Sequence, residues 1–240
     1  FAREINPGLR PIANKSDNRV VVSPADCTYR KVYKIDADSN IIEADLKPTK
    51  TTIKKTHIIG NISKLLEGSP NADKFANGTF VHYFLGPYSY HRFHAPVSGK
   101  IDECRAVAGA TYLEVNIVED GPQKGQYDAP DNAASPGGPG NGYQFNQARG
   151  VLTIDTTNSK DGNVGVVGVV PVGMCQVSGV HMTATVGKDI AKGEEFGYFL
   201  FGGSDIILLF QEGKAPVINE DGNTYRYFGT TISGVPNSPK

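Results

Sequence analysis

The run Val164-Gly-Val-Val-Gly-Val-Val-Pro-Val172 places the strongest constraint on how this chain folds. It is almost uniformly apolar and β-branched, so neither side of it suits water. A strand buried on both faces accommodates such a run. Its glycines imply close backbone approach or a bulge. A second apolar run, Ile206-Ile-Leu-Leu-Phe210, follows directly on Phe201-Gly-Gly-Ser-Asp205. Further β-branched runs at 19–23, 30–35, 79–85, 151–155 and 178–186 lie between Gly, Pro, Asn and Asp punctuation, which marks short strands. No sustained helical period competes with them. Short helices are predicted only at 62–66, ahead of the Gly68-Ser69-Pro70 breaker, and at 72–75. The expected class is α+β: a mostly antiparallel, β-rich single domain with a few short helices, for which 240 residues supply ample core.

The stretch 119–147 is rich in Gly, Pro, Asn and Asp around Ser135-Pro-Gly-Gly-Pro-Gly140 and reads as an insertion or lid, since the β pattern resumes beyond it unchanged. With 24 Lys+Arg against 25 Asp+Glu, the net charge of -1 gives no reason to expect nucleic acid as a partner. Lys47, Lys50, Lys54 and Lys55 form one local basic cluster, which reads as a solvated face or a contact to an anionic surface. Cys27, Cys104 and Cys175 leave one thiol over in any disulfide scheme and lack metal-ligand spacing, so a reducing compartment is the simpler expectation. No signal peptide and no apolar stretch of ~18 residues is present, which points to a cytoplasmic or peripheral membrane location.

Candidate chemistry falls in three separated segments. Val22-Ser-Pro-Ala-Asp-Cys27 ends an apolar run in a turn carrying Asp26. Tyr88-Ser-Tyr-His-Arg-Phe-His-Ala-Pro-Val-Ser-Gly99 packs His91 and His94, two of the five histidines, among aromatics and an arginine. In an extended strand, positions three apart face opposite ways, so these two histidines are expected to do different jobs. As a metal pair they lack third and fourth ligands, the nearest histidine being His82, and no metal site is expected. The third segment is the turn at Gly202-Gly203-Ser204. Glycines let the backbone take angles other residues avoid, and a serine held against its own preceding carbonyl can attack it when a base takes the proton. The same tripeptide also makes an ordinary turn. Asp, His and Ser in that chain order are compatible with a triad, which is recognised by geometry rather than by order.

Four motifs sharpen this. Phe1-Ala-Arg-Glu-Ile-Asn-Pro-Gly-Leu-Arg-Pro-Ile12, Ser23-Pro-Ala-Asp26, Tyr90-His-Arg-Phe-His-Ala-Pro-Val-Ser-Gly99 and Lys192-Gly-Glu-Glu-Phe-Gly-Tyr-Phe-Leu-Phe-Gly-Gly-Ser204 together resemble the phosphatidylserine decarboxylase family, in the family's order, from residue 1 to about residue 212. The resemblance implies an enzyme that makes its own pyruvoyl group from Ser204. Asp26 would orient His94, and His94 would deprotonate Ser204 for attack on the carbonyl of Gly203. The chain would thereby divide into a large subunit, 1–203, and a small one, 204–240. The pyruvoyl carbonyl would form a Schiff base with a substrate amine, and His91 would return a proton after carbon dioxide leaves.

The implied partners are an amine-bearing carboxylate, phosphatidylserine or a free amino acid, the chain's own cleaved subunit, peripheral membrane contact, and a homo-oligomer. Asp205 departs from the threonine usual after the serine, and its carboxylate is placed to perturb the new electrophile or meet the substrate amine. Ser89, Cys27, Gly173-Met-Cys-Gln-Val-Ser178 and the long 119–147 insertion also depart from the family pattern. They resemble the soluble branch that decarboxylates free amino acids such as tryptophan. Phosphatidylserine leads as substrate, an aromatic amino acid follows, and a non-enzymatic β-rich binding domain is the third reading.

Overall fold

The apolar run at 164–172 forms a strand with every residue buried, Val166–Gly173, at the middle of a large antiparallel sheet. The computed structural model describes residues 3–6, 8–43, 57–86, 88–109, 116–117, 127–128, 147–173, 179–200, 204–220 and 224–233. Among them the strands are β1 (Cys27–Ile35), β2 (Asn40–Glu43), β3 (His57–Asn61), β4 (Thr79–Leu85), β5 (Arg92–His94), β6 (Gly99–Val107), β7 (Asn116–Ile117), β8 (Tyr127–Asp128), β9 (Arg149–Asp155), β10 (Val166–Gly173), β11 (Gly179–Met182), β12 (Asp189–Ile190), β13 (Glu195–Leu200), β14 (Ser204–Phe210) and β15 (Tyr225–Arg226). The large sheet runs β12-β6-β9-β10-β14-β4-β1-β2-β3, with β15 also paired to β1. A small sheet, β11-β13-β5, carries the histidine segment, and β7 pairs with β8.

Helix among the described residues is confined to α1 (Ile62–Leu66) and a 3₁₀ turn at Ala72–Phe75. The expected mostly antiparallel, β-rich domain with a few short helices is borne out, with so little helix that the α+β label narrows to mostly β. Both helical pieces lie where the breakers placed them. Asn61 caps α1 by accepting from the Ser63 N–H at 2.9 Å. At the other end the buried Arg149 guanidinium donates to the carbonyls of Lys64 and Leu65.

β14 decides how the core is divided. Ile207 and Leu209 point to a cluster with Ile62, Leu65, Leu66 and Phe75, whereas Ile206, Leu208 and Phe210 point to one with Phe93, Phe196 and Phe199 of the small sheet. The large sheet is thus covered by the helical pieces on one face and by the small sheet on the other. Gly168 makes the close approach its residue type implied: a Cβ there would come within 3.0 Å of the Leu209 Cβ and 3.1 Å of the Phe75 ring.

The expected strand at 19–23 does not form. Asp17 accepts from the Arg19 backbone N–H and side chain, and the Val20 N–H bonds the Asp17 carbonyl, so the chain turns there instead. Only a single bridge, Val22 to Thr231, remains. The 178–186 strand shortens to β11, because the chain turns again at 186–188. The basic cluster at 47–55, Cys175, Gly203 and the 119–147 loop, apart from β8 and Gln147, lie outside the described residues.

Candidate active site

β5 is only three residues long and owes its position to β13, with Glu195 opposite His94 and Tyr198 opposite Arg92. Gly197 allows this pairing, since a Cβ there would sit 2.2 Å from the His181 carbonyl oxygen and 2.3 Å from the Phe93 ring. The two histidines go to different surroundings, as their spacing implied. His94 is 6 % exposed. Its Nδ1 lies 2.9 Å from the Gly193 carbonyl oxygen, which can only accept, so Nδ1 carries the proton. Nε2 then accepts from the Tyr90 hydroxyl at 3.0 Å. The Phe228 ring lies flat on the imidazole, centroids 3.8 Å apart and planes 2° apart. Burial pushes the His94 pKa down to about 4, against the opposing pull of the Gly193 carbonyl and of Asp26. At neutral pH this side chain is an uncharged imidazole with a basic Nε2.

Asp26 reaches the site by a different route from the one its motif implies. Its Oδ2 accepts from the Arg10 guanidinium at 2.9 Å and its Oδ1 from the Phe228 backbone N–H at 2.8 Å. No hydrogen bond joins it to His94, whose two nitrogens are both engaged elsewhere. Asp26 acts on the imidazole at one remove, by fixing the backbone that carries Phe228 and by its negative field.

His91 is fully buried. Its Nδ1 donates to the Ser89 carbonyl at 2.8 Å, which leaves Nε2 as the lone-pair nitrogen. Its ring meets the edge of Phe199 at 6.2 Å, and its carbonyl accepts from the Phe199 N–H at 2.9 Å. Ser204 opens β14, in register with Leu85 of β4 and Gly173 of β10. It shares a face with Ile206 and Leu208, the face covered by the small sheet. The residue is fully buried, and among the described residues nothing hydrogen-bonds its hydroxyl. Leaving such a group unsatisfied costs about 1–3 kcal/mol, so its retention calls for a functional reason. In sequence His91 stands six positions after Leu85, the register partner of Ser204, and Ser204 five positions after Phe199, the backbone partner of His91.

The family model for phosphatidylserine decarboxylase matches residues 1–233. The chain belongs to the phosphatidylserine decarboxylase family. A phosphatidylserine decarboxylase proenzyme of Fusobacterium nucleatum is 31% identical over 225 residues, covering 92% of this chain and 61% of that protein. The decarboxylase iboD of Amanita muscaria is 29% identical over 222 residues, covering 92% and 59%. The phosphatidylserine decarboxylase proenzyme 2 of Oryza sativa subsp. japonica is 28% identical over 212 residues, covering 88% of this chain and 28% of that protein. The chain thus spans less than two thirds of the length of each of these relatives.

One departure from the family pattern has a structural answer. Asp205 points to the face opposite Ser204, where its Oδ2 lies 2.9 Å from Nε2 of His82. The expectation that its carboxylate meets the substrate amine is corrected by strand alternation, which turns neighbouring residues to opposite faces. Tyr90, Gly193, Arg10 and Phe228 were not singled out as site residues. Tyr90 had a legible signal, adjoining His91 and four residues from His94. Phe228 had none, since it lies 134 positions from the ring it covers.

Proposed function

We propose that this chain is a self-processing, pyruvoyl-dependent decarboxylase whose substrate is phosphatidylserine and whose product is phosphatidylethanolamine. The observation that carries the reading is the buried Ser204 hydroxyl without a hydrogen-bond partner among the described residues. In sequence it follows Gly202 and Gly203, and it lies on the sheet face covered by the small sheet, in a chain of this family.

Processing starts with Ser204 Oγ attacking the carbonyl carbon of Gly203. The hydroxyl proton passes to His94, whose Nε2 is the basic nitrogen, and Tyr90 is the group already bonded there. The Gly203–Ser204 amide bond breaks as an ester forms and the Ser204 nitrogen takes up a proton. Loss of the Ser204 Cα proton expels the Gly203 carboxylate. Water then releases ammonia and leaves the pyruvoyl group at the start of the 204–240 subunit, within the same single domain as 1–203.

The surroundings fit such a group: position 204 is flanked by Leu85 and Gly173 and, among the described residues, meets no competing hydrogen bond. In place, the pyruvoyl group supplies a carbonyl that takes the substrate amine and draws off the electrons released with carbon dioxide. His91, tethered through Nδ1 to Ser89, presents Nε2 as the nitrogen that takes up a proton from solvent and then delivers it to the substrate carbon.

A second reading is decarboxylation of a free aromatic amino acid, since the Amanita muscaria relative is named a decarboxylase without a lipid substrate. The test is intact mass. Wild type is expected as two polypeptides, the smaller trapped by borohydride in the presence of an amine, and Ser204→Ala as one uncleaved chain. Wild type that stays whole at 25.7 kDa refutes the processing. Product assays offering phosphatidylserine vesicles and free tryptophan then decide between the substrates.

A further inference from the structure

We propose that Phe228 is the positioning residue of His94, a flat aromatic plate that closes one face of the imidazole and is held in place by Asp26. This rests on the reading of His94 as the base of self-processing. No motif of the histidine or serine segments includes Phe228.

The placement is specific. Residues 224–233 lie along the turn segment that ends at Asp26 and continue onto β1. The Phe228 N–H donates to Asp26 Oδ1, the Gly229 N–H to the Ser23 carbonyl at 3.0 Å, and the Ser23 N–H to the Thr230 carbonyl at 2.7 Å. Gly229 is in the left-handed region at φ +83°, and a Cβ there would meet Ile12 at 2.7 Å, so the turn after Phe228 is tightly determined. These bonds aim the Phe228 ring at His94, with the Tyr90 ring 5.4 Å away at 22°. The segment follows Ser204 in the chain, so one and the same small subunit supplies both the reacting residue and the cover of its base.

Among the described residues, few charged and titratable groups surround His94. Tyr90 comes from the segment before β5, Arg92 and Glu195 form an ion pair at 2.7 Å across β5 and β13, and Asp26 comes with its partner Arg10. Asp26 favours the imidazolium and Arg92 disfavours it, yet desolvation outweighs both. Phe228 is the plate that supplies this desolvation on the stacked face. Without a flat ring there, water reaches the imidazole and its pKa returns toward the ordinary 6.5.

The direct measurement uses the uncleaved Ser204→Ala protein, where the His94 imidazole is titrated by NMR. The midpoint is expected at about 4. Adding Phe228→Leu, or Phe228→Met as a second apolar replacement, moves it up by at least one unit, and Phe228→Tyr restores it. A midpoint unmoved by both replacements, in protein with parental circular dichroism, overturns the inference.

The second readout is processing of the Ser204 chain against pH. A base with a pKa near 6.5 instead of 4 is about 30-fold less neutral at pH 5 and essentially unchanged at pH 8. Phe228→Leu is therefore expected to slow processing at pH 5, by as much as about 30-fold for a full return to 6.5, and little at pH 8. An equal loss at both pH values, the mark of a purely structural role, overturns the inference. If the parent chain itself does not process, the self-processing reading fails, and the NMR midpoint still decides the role of Phe228.

Discussion

Asp26→Asn tests the indirect route by which this carboxylate reaches the site. Asp26 is 2 % exposed and accepts two hydrogen bonds, one from Arg10 and one from the Phe228 N–H. The amide keeps one oxygen, which satisfies the Phe228 N–H, and turns its NH₂ toward the Arg10 guanidinium, donor against donor. What is lost is a charge-assisted bond, worth about 1.5–3 kcal/mol. The Arg10 side chain is 22% exposed and recovers part of that from water, so the expected cost is about 2 kcal/mol. Asp26→Ala also strands the buried Phe228 N–H, which raises the cost to about 3–4 kcal/mol.

The assay is urea unfolding in the Ser204→Ala background, because one uncleaved chain permits two-state treatment and a nicked one does not. Arg10→Ala closes a double-mutant cycle, with an expected coupling of about 2 kcal/mol to Asp26. Equal costs for Asn and Ala, or a coupling near zero, would refute the reasoning. In the Ser204 chain the Asn variant also processes more slowly, because the negative charge that favours the forming His94 imidazolium is gone.

Two further outcomes separate function from framework. His94→Ala stops processing, whereas His91→Ala leaves processing intact and lowers decarboxylation by about 10²–10⁴-fold. Fragment analysis and carbon dioxide release distinguish them, and full turnover in His91→Ala removes it as proton donor. Lys192 is buried with Nζ donating to the carbonyls of Asn14, Asp17 and Val20 at 2.8, 2.6 and 2.8 Å. Lys192→Met strands three carbonyls and is expected to cost about 3 kcal/mol, read as a lowered urea midpoint; an unchanged midpoint would show that the loop at 14–20 does not depend on it.

Much of the framework was readable along the chain. β4 covers the expected 79–85 run, and β10 lies within a residue or two of the expected 164–172 run, since uninterrupted β-branched stretches leave few other ways to be buried. α1 falls between its cap and the Gly68-Ser69-Pro70 breaker. β6 was illegible because Lys100, Asp102, Glu103 and Arg105 mask its apolar residues; it is a strand through pairing with β9 and β12. β15 is two residues long and has no pattern of its own.

The motifs that resemble the phosphatidylserine decarboxylase family single out Asp26, His91, His94 and Ser204, whereas the residue types alone are compatible with a triad and no more. The chain alone also determined that its regular structure would be mainly strand, through β-branched runs between Gly, Pro, Asn and Asp punctuation that need no distant partner to be read. Tertiary structure decided who touches whom. Asp26 meets Arg10 and the Phe228 backbone rather than His94, and Asp205 turns its back on the serine beside it. Such contacts join positions as far as 202 residues apart, and they follow from register and sheet closure, which are properties of the whole assembly of strands.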